Sequence, residues 1–369
     1  MAENKKAMEN DDVNVVNGPL YRELLSLSWG TRVPLLVVGP SGAGKTAISV
    51  QWARDKGVNL FVSNLSDKGP QEAGGYGIPD SETRDMYFSC PEGIPSRSRI
   101  GDAEALWLLD ELFNWDPQVA SMFHGVLHPP GDGPRFLGNH EIGPNVRIVA
   151  TANLRKHGAR VVKATVPQIA RVIYITLHSR AVDWVDWAER EGYGDTFVPA
   201  FVQYHATMGE GAELLYGNAS EFDPSNPAPY ACHRAWENVC KIRQFTKGRR
   251  DACERAASAG CWGNRCQMAF EGFLQVIDQM PVIQAALEDP DNYSPPPDAP
   301  MQFALVAAAL TTLTRGVSDP ETETHTGTFD WFGTLLTKCR GEIARYGAEG
   351  AMRQGVAFDT HPKFRKLLF

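Results

Sequence analysis

The residues Gly39-Pro40-Ser41-Gly42-Ala43-Gly44-Lys45-Thr46 fit the pattern G-x-x-x-x-G-K-[ST]. Each position has a chemical reason. The glycines let the backbone turn tightly and aim N–H groups at a phosphate. A helix N-terminus behind the turn adds partial positive charge. Lys45 would reach the β- and γ-phosphates of a nucleotide, and Thr46 would ligate Mg²⁺. The plain alternative is a chance match in a glycine-rich turn. It loses ground because an apolar run, Val33-Pro34-Leu35-Leu36-Val37-Val38, precedes the loop and a helical stretch, Ala47–Lys56, follows it.

Two further strand ends carry polar groups suited to the same chemistry. Ala105-Leu106-Trp107-Leu108-Leu109 runs into Asp110-Glu111, about 65 residues after the glycine-rich loop. Asp110 would hold Mg²⁺ beside Thr46, directly or through water. Glu111 would sit near the γ-phosphate and polarise an attacking water. An exposed acidic strand end is common by itself; its place after the loop gives it meaning. A glutamate directly after the aspartate suits a hydrolase better than a kinase, which must exclude water. Arg147-Ile148-Val149-Ala150-Thr151-Ala152-Asn153 is another strand ending in a polar group, and Asn153 could orient the lytic water. An asparagine capping a turn is equally ordinary, so Asn153 gains its role only from the first two motifs.

These residues need a scaffold that brings three strand ends together. Short apolar runs recur at Val33–Val38, Leu60–Val62, Leu106–Leu109, Val146–Ala150 and Val172–Leu177. They read as strands buried on both faces of a parallel sheet. Helical stretches lie between most of them, which implies an α/β sheet covered on both sides. From about residue 180 apolar residues recur at helical spacing, over Ala181–Glu191, Ala235–Thr246, Met268–Leu287 and Gln302–Leu313. Trp331–Tyr346 reads as one last long helix. The segment Asp289–Pro300, DPDNYSPPPDAP, reads as a linker or an extended strap.

The chain has 369 residues, of which 43% are hydrophobic and 22% charged. That is ordinary globular composition for two or three domains. Lys and Arg number 36 against 44 Asp and Glu, a formal net charge of −8, which argues against coating nucleic acid by bulk charge. No run of 18 apolar residues would span a membrane, and the polar start MAENKKAMENDD is unlike a signal peptide. Seven scattered cysteines read as reduced thiols of a cytoplasmic protein. The spacing of Cys253, Cys261 and Cys266 matches no common zinc pattern. His124, His128, His140 and His157 are dispersed and read as structural.

GPSGAGKT, LWLLDE and RIVATAN, in this order and spacing, resemble the AAA+ ATPases, with the MoxR-like, dynein-related group as the nearest branch. NLSDKGPQEAGGYGIPD, VPQIARVIYITLHSRAVDWVDWAEREG and ACHRAWENV extend the resemblance to about residue 247. It implies an α/β P-loop core with a five-stranded parallel sheet of order 5-1-4-3-2, followed by an α-helical lid and a helical C-terminal extension. The expected division is a flexible tail over 1–17, the core over 18–180, the lid over 181–288, and a Pro-rich strap with the extension over 289–369. The resemblance also implies ATP and Mg²⁺ as cofactors, and a homo-oligomeric ring, commonly a hexamer, with ATP between subunits. Arg171, just before the fifth strand, matches the arginine that reaches a neighbour's γ-phosphate, a contribution of about 10³–10⁵ in rate. Arg160 and Arg180 are the alternatives, and a helix-capping arginine is the ordinary reading of Arg171. Arg234 matches the sensor 2 arginine of the lid, although His233 stands where the family usually has proline. Gly74–Cys90 and Arg135–Asn145 resemble two hairpins that face the ring pore in such proteins. The partner implied is a separate protein client, or a separate chain carrying a von Willebrand factor A domain.

Two other functions compete with an ATPase that remodels a protein. A nucleic-acid motor or loader would need a basic surface, and Lys247-Gly248-Arg249-Arg250 is one small cluster that could contribute. An ATP-gated scaffold would hydrolyse slowly, and it has less need of Glu111.

Overall fold

The computed structural model describes residues 14–64, 66, 68–83, 85–128, 133–153, 169–208, 212–216, 228–278, 289, 291–297, 299, 301–303, 305–307, 309–310, 325–353 and 365–367. The chain forms two compact units, Met1–Arg180 and Ala181–Phe369.

In chain order the strands of the first unit are Val15–Val16 (β1), Leu35–Gly39 (β2), Asn59–Asn64 (β3), Gly77–Pro79 (β4), Met86–Phe88 (β5), Ala105–Asp110 (β6), Phe136–Leu137 (β7), His140–Glu141 (β8), Val146–Asn153 (β9) and Ile173–Leu177 (β10). Six of them form one sheet in the order β1-β10-β2-β9-β6-β3, and every pair in it is parallel. Without β1, that is the expected order 5-1-4-3-2. The expected five-stranded sheet therefore gains an edge strand, from a segment read as tail. Val15 pairs with Thr176 and Val16 with Leu177. Two valines are too short a run to announce a strand. They add to an edge that already exists, and Val16 is buried there.

The central strands are buried on both faces, and their alternation sorts side chains into two layers. Leu35 and Val37 face one layer with Leu106, Leu108, Val149, Tyr21, Leu25 and Trp52. Leu36 and Val38 face the other with Trp107, Leu109, Ile148, Ala150 and Phe123. Helix Gly18–Thr31 (α1) supplies Tyr21 and Leu25. The Asn17 side chain caps it by accepting from the Leu20 N–H at 3.0 Å, worth about 1 kcal/mol. Helix Lys45–Lys56 (α2) starts on Gly44 in the left-handed region, φ 88°, and ends on left-handed Gly57.

Both expected hairpins form. β4 pairs with β5 and β7 with β8, each antiparallel. The Asp80 carboxylate accepts from the Glu82 and Thr83 amides in the first turn, and those bonds hold its pKa below the usual carboxylate range. Tyr76, Ile78, Met86, Tyr87 and Phe88 are all exposed on this hairpin.

The second unit is helical among its described residues. Its longer helices are Ala181–Arg190, Val198–Met208, His233–Thr246, Ala252–Trp262, Asn264–Asp278, His325–Thr337 and Gly341–Arg353. One hydrophobic cluster runs from Ala181 to Ala351 and joins Phe201, Trp236 and Phe270 to Phe303, Phe332 and Ile343. Described residues on both sides of position 288 contribute to this cluster. The one long helix expected over Trp331–Tyr346 is two. Lys338–Arg340 breaks it, where Arg340 gives its N–H to the Gln302 side chain at 2.9 Å instead of to the preceding turn. In the Pro-rich segment, residues 289 and 291–297 have no regular structure, and Ala299 is helical. Lys338 Nζ donates to the Asp291 and Tyr293 carbonyls, and Arg340 donates to the Pro297 carbonyl.

A buried ion pair fastens two helices of this unit. Arg243 Nη1 donates to Glu254 Oε1 at 2.6 Å, with side chains 6% and 3% exposed. Thr246 and the Arg250 amide complete the Glu254 carboxylate, while Arg243 Nε donates to the Thr196 carbonyl and the guanidinium lies over Phe270. Next to it, the basic cluster of residues 247–250 is largely neutralised: Arg249 pairs with Asp251 and Arg250 with Asp278. Among the described residues no helix is long and apolar enough to cross a membrane.

Candidate functional site

Because the sheet is parallel, its strand ends gather at one edge, where α/β proteins bind ligands. Gly39 pairs with Asn153, and Asn64 with Asp110. The glycine-rich loop leaves β2 at this edge, between β10 and β9. Gly39 must be glycine, because a Cβ there would lie 2.9 Å from the Leu177 carbonyl oxygen. Gly42 and Gly44 take positive φ, 75° and 88°, and fold residues 40–44 back over the strand ends. Ser179, just beyond β10, donates to the Ala43 carbonyl at 2.6 Å and ties the loop down. No side chain caps the first turn of α2, so its amides are available to an anion.

Lys45 folds inward and is 7% exposed. Its ammonium donates to the Gly39 carbonyl at 3.0 Å, the Pro40 carbonyl at 2.7 Å and Asn153 Oδ1 at 2.9 Å. A cation held by neutral oxygens at an uncapped helix start is chemically suited to a phosphate. The Thr46 hydroxyl donates to Asp110 Oδ1 at 2.6 Å. This hydroxyl and carboxylate are hard oxygen donors, and they fit Mg²⁺, which takes one or two protein oxygens and fills the rest with phosphate and water. Among the described residues no group of three or more His, Cys, Asp or Glu side chains could hold a metal ion. Behind Lys45, Ser49 donates to its carbonyl at 3.0 Å and bonds Tyr21 at 2.6 Å. Burial pushes the Tyr21 hydroxyl well above its ordinary pKa, so it stays a neutral donor.

Glu111 follows Asp110 in the left-handed region, φ 55°, a costly conformation for a residue with a side chain. Its amide donates to Thr151 Oγ1 at 3.1 Å, and the Thr151 hydroxyl donates to Asp110 Oδ1 at 2.5 Å. Thr151 therefore holds both acidic residues with one hydroxyl, and sequence reasoning missed it. The signal was present: Thr151 lies two residues before Asn153, on the same face of the strand.

The structure thus brings Gly39, Pro40, Ser41, Gly42, Ala43, Gly44, Lys45, Thr46, Asp110, Glu111 and Asn153 to one edge of one sheet. Arg171 is elsewhere. It lies exposed on the turn before β10, whose first residue, Ile173, pairs with Leu35 at the start of β2. Arg171 therefore sits at the opposite edge of the sheet from Gly39. Arg180 follows the other end of β10 and is exposed. Arg160 lies outside the described residues. In the second unit, Arg234 is exposed on the first turn of helix His233–Thr246. The neighbouring His233 ring lies among Trp184, Tyr216 and Trp236, and burial pushes its pKa down to about 4, against a smaller opposing pull from Asp183.

Strand order, loop and strand-end chemistry together define an α/β P-loop fold. No family model matches the chain, and no curated protein matches it. Among solved structures it is similar to a RuvB mutant of Thermotoga maritima, at 14% identity over 78% of this chain and 80% of that one, with a TM-score of 0.36. It is also similar to NtrX from Brucella abortus in complex with ADP, at 13% identity over 84% of this chain and 67% of that one, with a TM-score of 0.35. Likenesses this distant leave the site to be read from its own geometry.

Proposed function

We propose that this chain is an AAA+ ATPase that assembles into a ring and couples ATP hydrolysis to remodelling a protein partner, in the manner of the MoxR-like group. The observation that carries the ATPase reading is the bonded chain Lys45–Asn153 and Thr46–Asp110–Thr151–Glu111 at one sheet edge. The loop amides and Lys45 bind the phosphates. Thr46 and Asp110 would hold Mg²⁺, which would supply positive charge against the phosphates. Asn153 orients a water, and the Glu111 carboxylate takes its proton as the water oxygen bonds to the γ-phosphorus. The bond from that phosphorus to the β–γ bridging oxygen breaks, and ADP and phosphate leave. Arg171 acts on the nucleotide of a neighbouring subunit in a homo-oligomeric ring of hexamer type, and Arg234 couples nucleotide state to the helical unit. The partner is a separate client, or a von Willebrand factor A-domain chain.

The test is ATPase turnover per subunit across a hundredfold range of protein concentration, with the oligomer's mass measured at each dilution. Turnover per subunit should rise with ring assembly and then saturate. A monomer with full turnover refutes the ring. Glu111→Gln with unchanged turnover refutes the catalytic assignment, and Lys45→Ala with unchanged ATP affinity refutes the loop itself.

A further inference from the structure

Glu111 is held at both ends, and its second anchor is a residue without an assigned role. The turn Leu112–Asn114 follows Glu111 immediately, and the Asn114 amide closes it on the Glu111 carbonyl at 2.8 Å. Leu112 and Phe113 are buried in the core layer that also holds Trp115. Trp115 packs edge-on against Phe123 with centroids 4.8 Å apart, and its indole N–H donates to the Asp110 carbonyl at 3.0 Å. The turn is thus fixed to the end of β6 from both sides. That places Asn114 Nδ2 3.1 Å from Glu111 Oε2, as donor to the carboxylate.

The other half of the same amide is different. Asn114 Oδ1 is buried and, among the described residues, accepts no hydrogen bond. Turning the amide over would set that oxygen against the carboxylate, so the carboxylate dictates its orientation. An unpaired buried carbonyl costs stability, and an apolar residue at position 114 would avoid that cost. The side chain is therefore better explained by what it does to Glu111 than by what it adds to the fold.

We propose that Asn114 is the positioning residue for the Glu111 carboxylate: it holds Oε2, selects the rotamer and leaves Oε1 to accept the proton of the attacking water. The inference rests on the ATPase reading given above. Among the described residues Asp110, Lys45 and Arg180 are charged groups at this sheet edge, and they stay constant when position 114 alone is changed.

The experiment compares wild type, Asn114→Ala, Asn114→Asp and Glu111→Gln at a protein concentration where the wild type is fully assembled. Asn114→Ala should lower kcat about 10- to 100-fold with the KM for ATP within twofold, the signature of a displaced reacting group. Asn114→Asp, nearly the same shape, replaces the donor by an acceptor and should lower kcat at least as far, again with the KM for ATP within twofold. A role in folding alone would lower thermal stability and leave kcat per folded subunit unmoved, and that result overturns the proposal. If Glu111→Gln hydrolyses ATP at the wild-type rate, the ATPase assignment fails and the proposal falls with it. If Glu111→Gln is inactive and Asn114→Ala keeps the wild-type kcat, the proposal alone fails.

Discussion

Replacing Thr151 by valine would remove one hydroxyl and leave a side chain of the same shape. Thr151 is fully buried. Its oxygen accepts the Glu111 amide at 3.1 Å and donates to Asp110 Oδ1 at 2.5 Å. In Thr151→Val the Glu111 amide loses its acceptor, at about 1–3 kcal/mol, and Asp110 loses a charge-assisted bond of about 1.5–3 kcal/mol. Asp110 keeps the Thr46 hydroxyl and is only part-buried, so its loss falls at the low end, and the expected total is about 2–4 kcal/mol. In a unit of this size that lowers the melting temperature by roughly 5–15 °C. The half-saturating Mg²⁺ concentration for ATPase activity should rise about 10- to 100-fold, as for other groups that orient a metal ligand. Calorimetry and a Mg²⁺ titration of turnover measure the two effects. Thr151→Ser retains the hydroxyl and should recover most of both. If Thr151→Val melts within a degree of wild type with an unchanged Mg²⁺ requirement, Thr151 does not organise the acidic pair.

Two predictions concern the helical unit. His233 has its folded pKa pushed down to about 4, against about 6.5 in an unfolded chain. The stability it contributes is complete above about pH 6.5 and is lost as the pH falls toward 4, by up to about 3 kcal/mol. Urea unfolding at pH 7.5 and 4.5 should show that loss in wild type and a smaller one in His233→Gln; equal losses would contradict the burial argument. Glu254→Gln removes one charge from the buried pair with Arg243 and should cost about 3–5 kcal/mol, whereas replacing both residues by apolar ones of similar volume should cost far less. Calorimetric melting of the single and double variants separates the two cases.

The features legible in the sequence are those written as local runs. The loop from Gly39 to Thr46, the strand ending in Asp110-Glu111 and the strand ending in Asn153 each combine an apolar run with a polar stop. A parallel sheet then puts all three stops at one edge. What was not legible depends on neighbours far away in the chain. Val15–Val16 is a strand only because β10 offers an edge. Lys338–Arg340 breaks a helix only because Gln302 takes the Arg340 amide. The basic cluster at 247–250 looks cationic in one dimension, yet Asp251 and Asp278 neutralise both of its arginines in three. Thr151 and Asn114 are ordinary polar residues by type, and only the hydrogen bonds reveal that they hold the acidic pair.

Arg171 shows how topology limits a role proposed by resemblance. β10 runs from Ile173 beside Leu35 to Leu177, next to Gly39. Four strand steps separate its ends, about 13 Å at 3.3 Å per residue, and Arg171 precedes the far end. A residue there lies at the far end of the strand from the phosphate loop of its own sheet, so an action on a γ-phosphate would be on a neighbouring subunit's. The role is then inseparable from assembly. In a mixture of Arg171→Ala subunits with Lys45→Ala subunits, each variant lacks what the other supplies. Some mixed interfaces pair an intact loop with an intact arginine, so turnover should reappear on mixing. Arg171→Ala subunits with full turnover on their own would remove the residue from the mechanism and return it to the ordinary reading, a cation near a helix end.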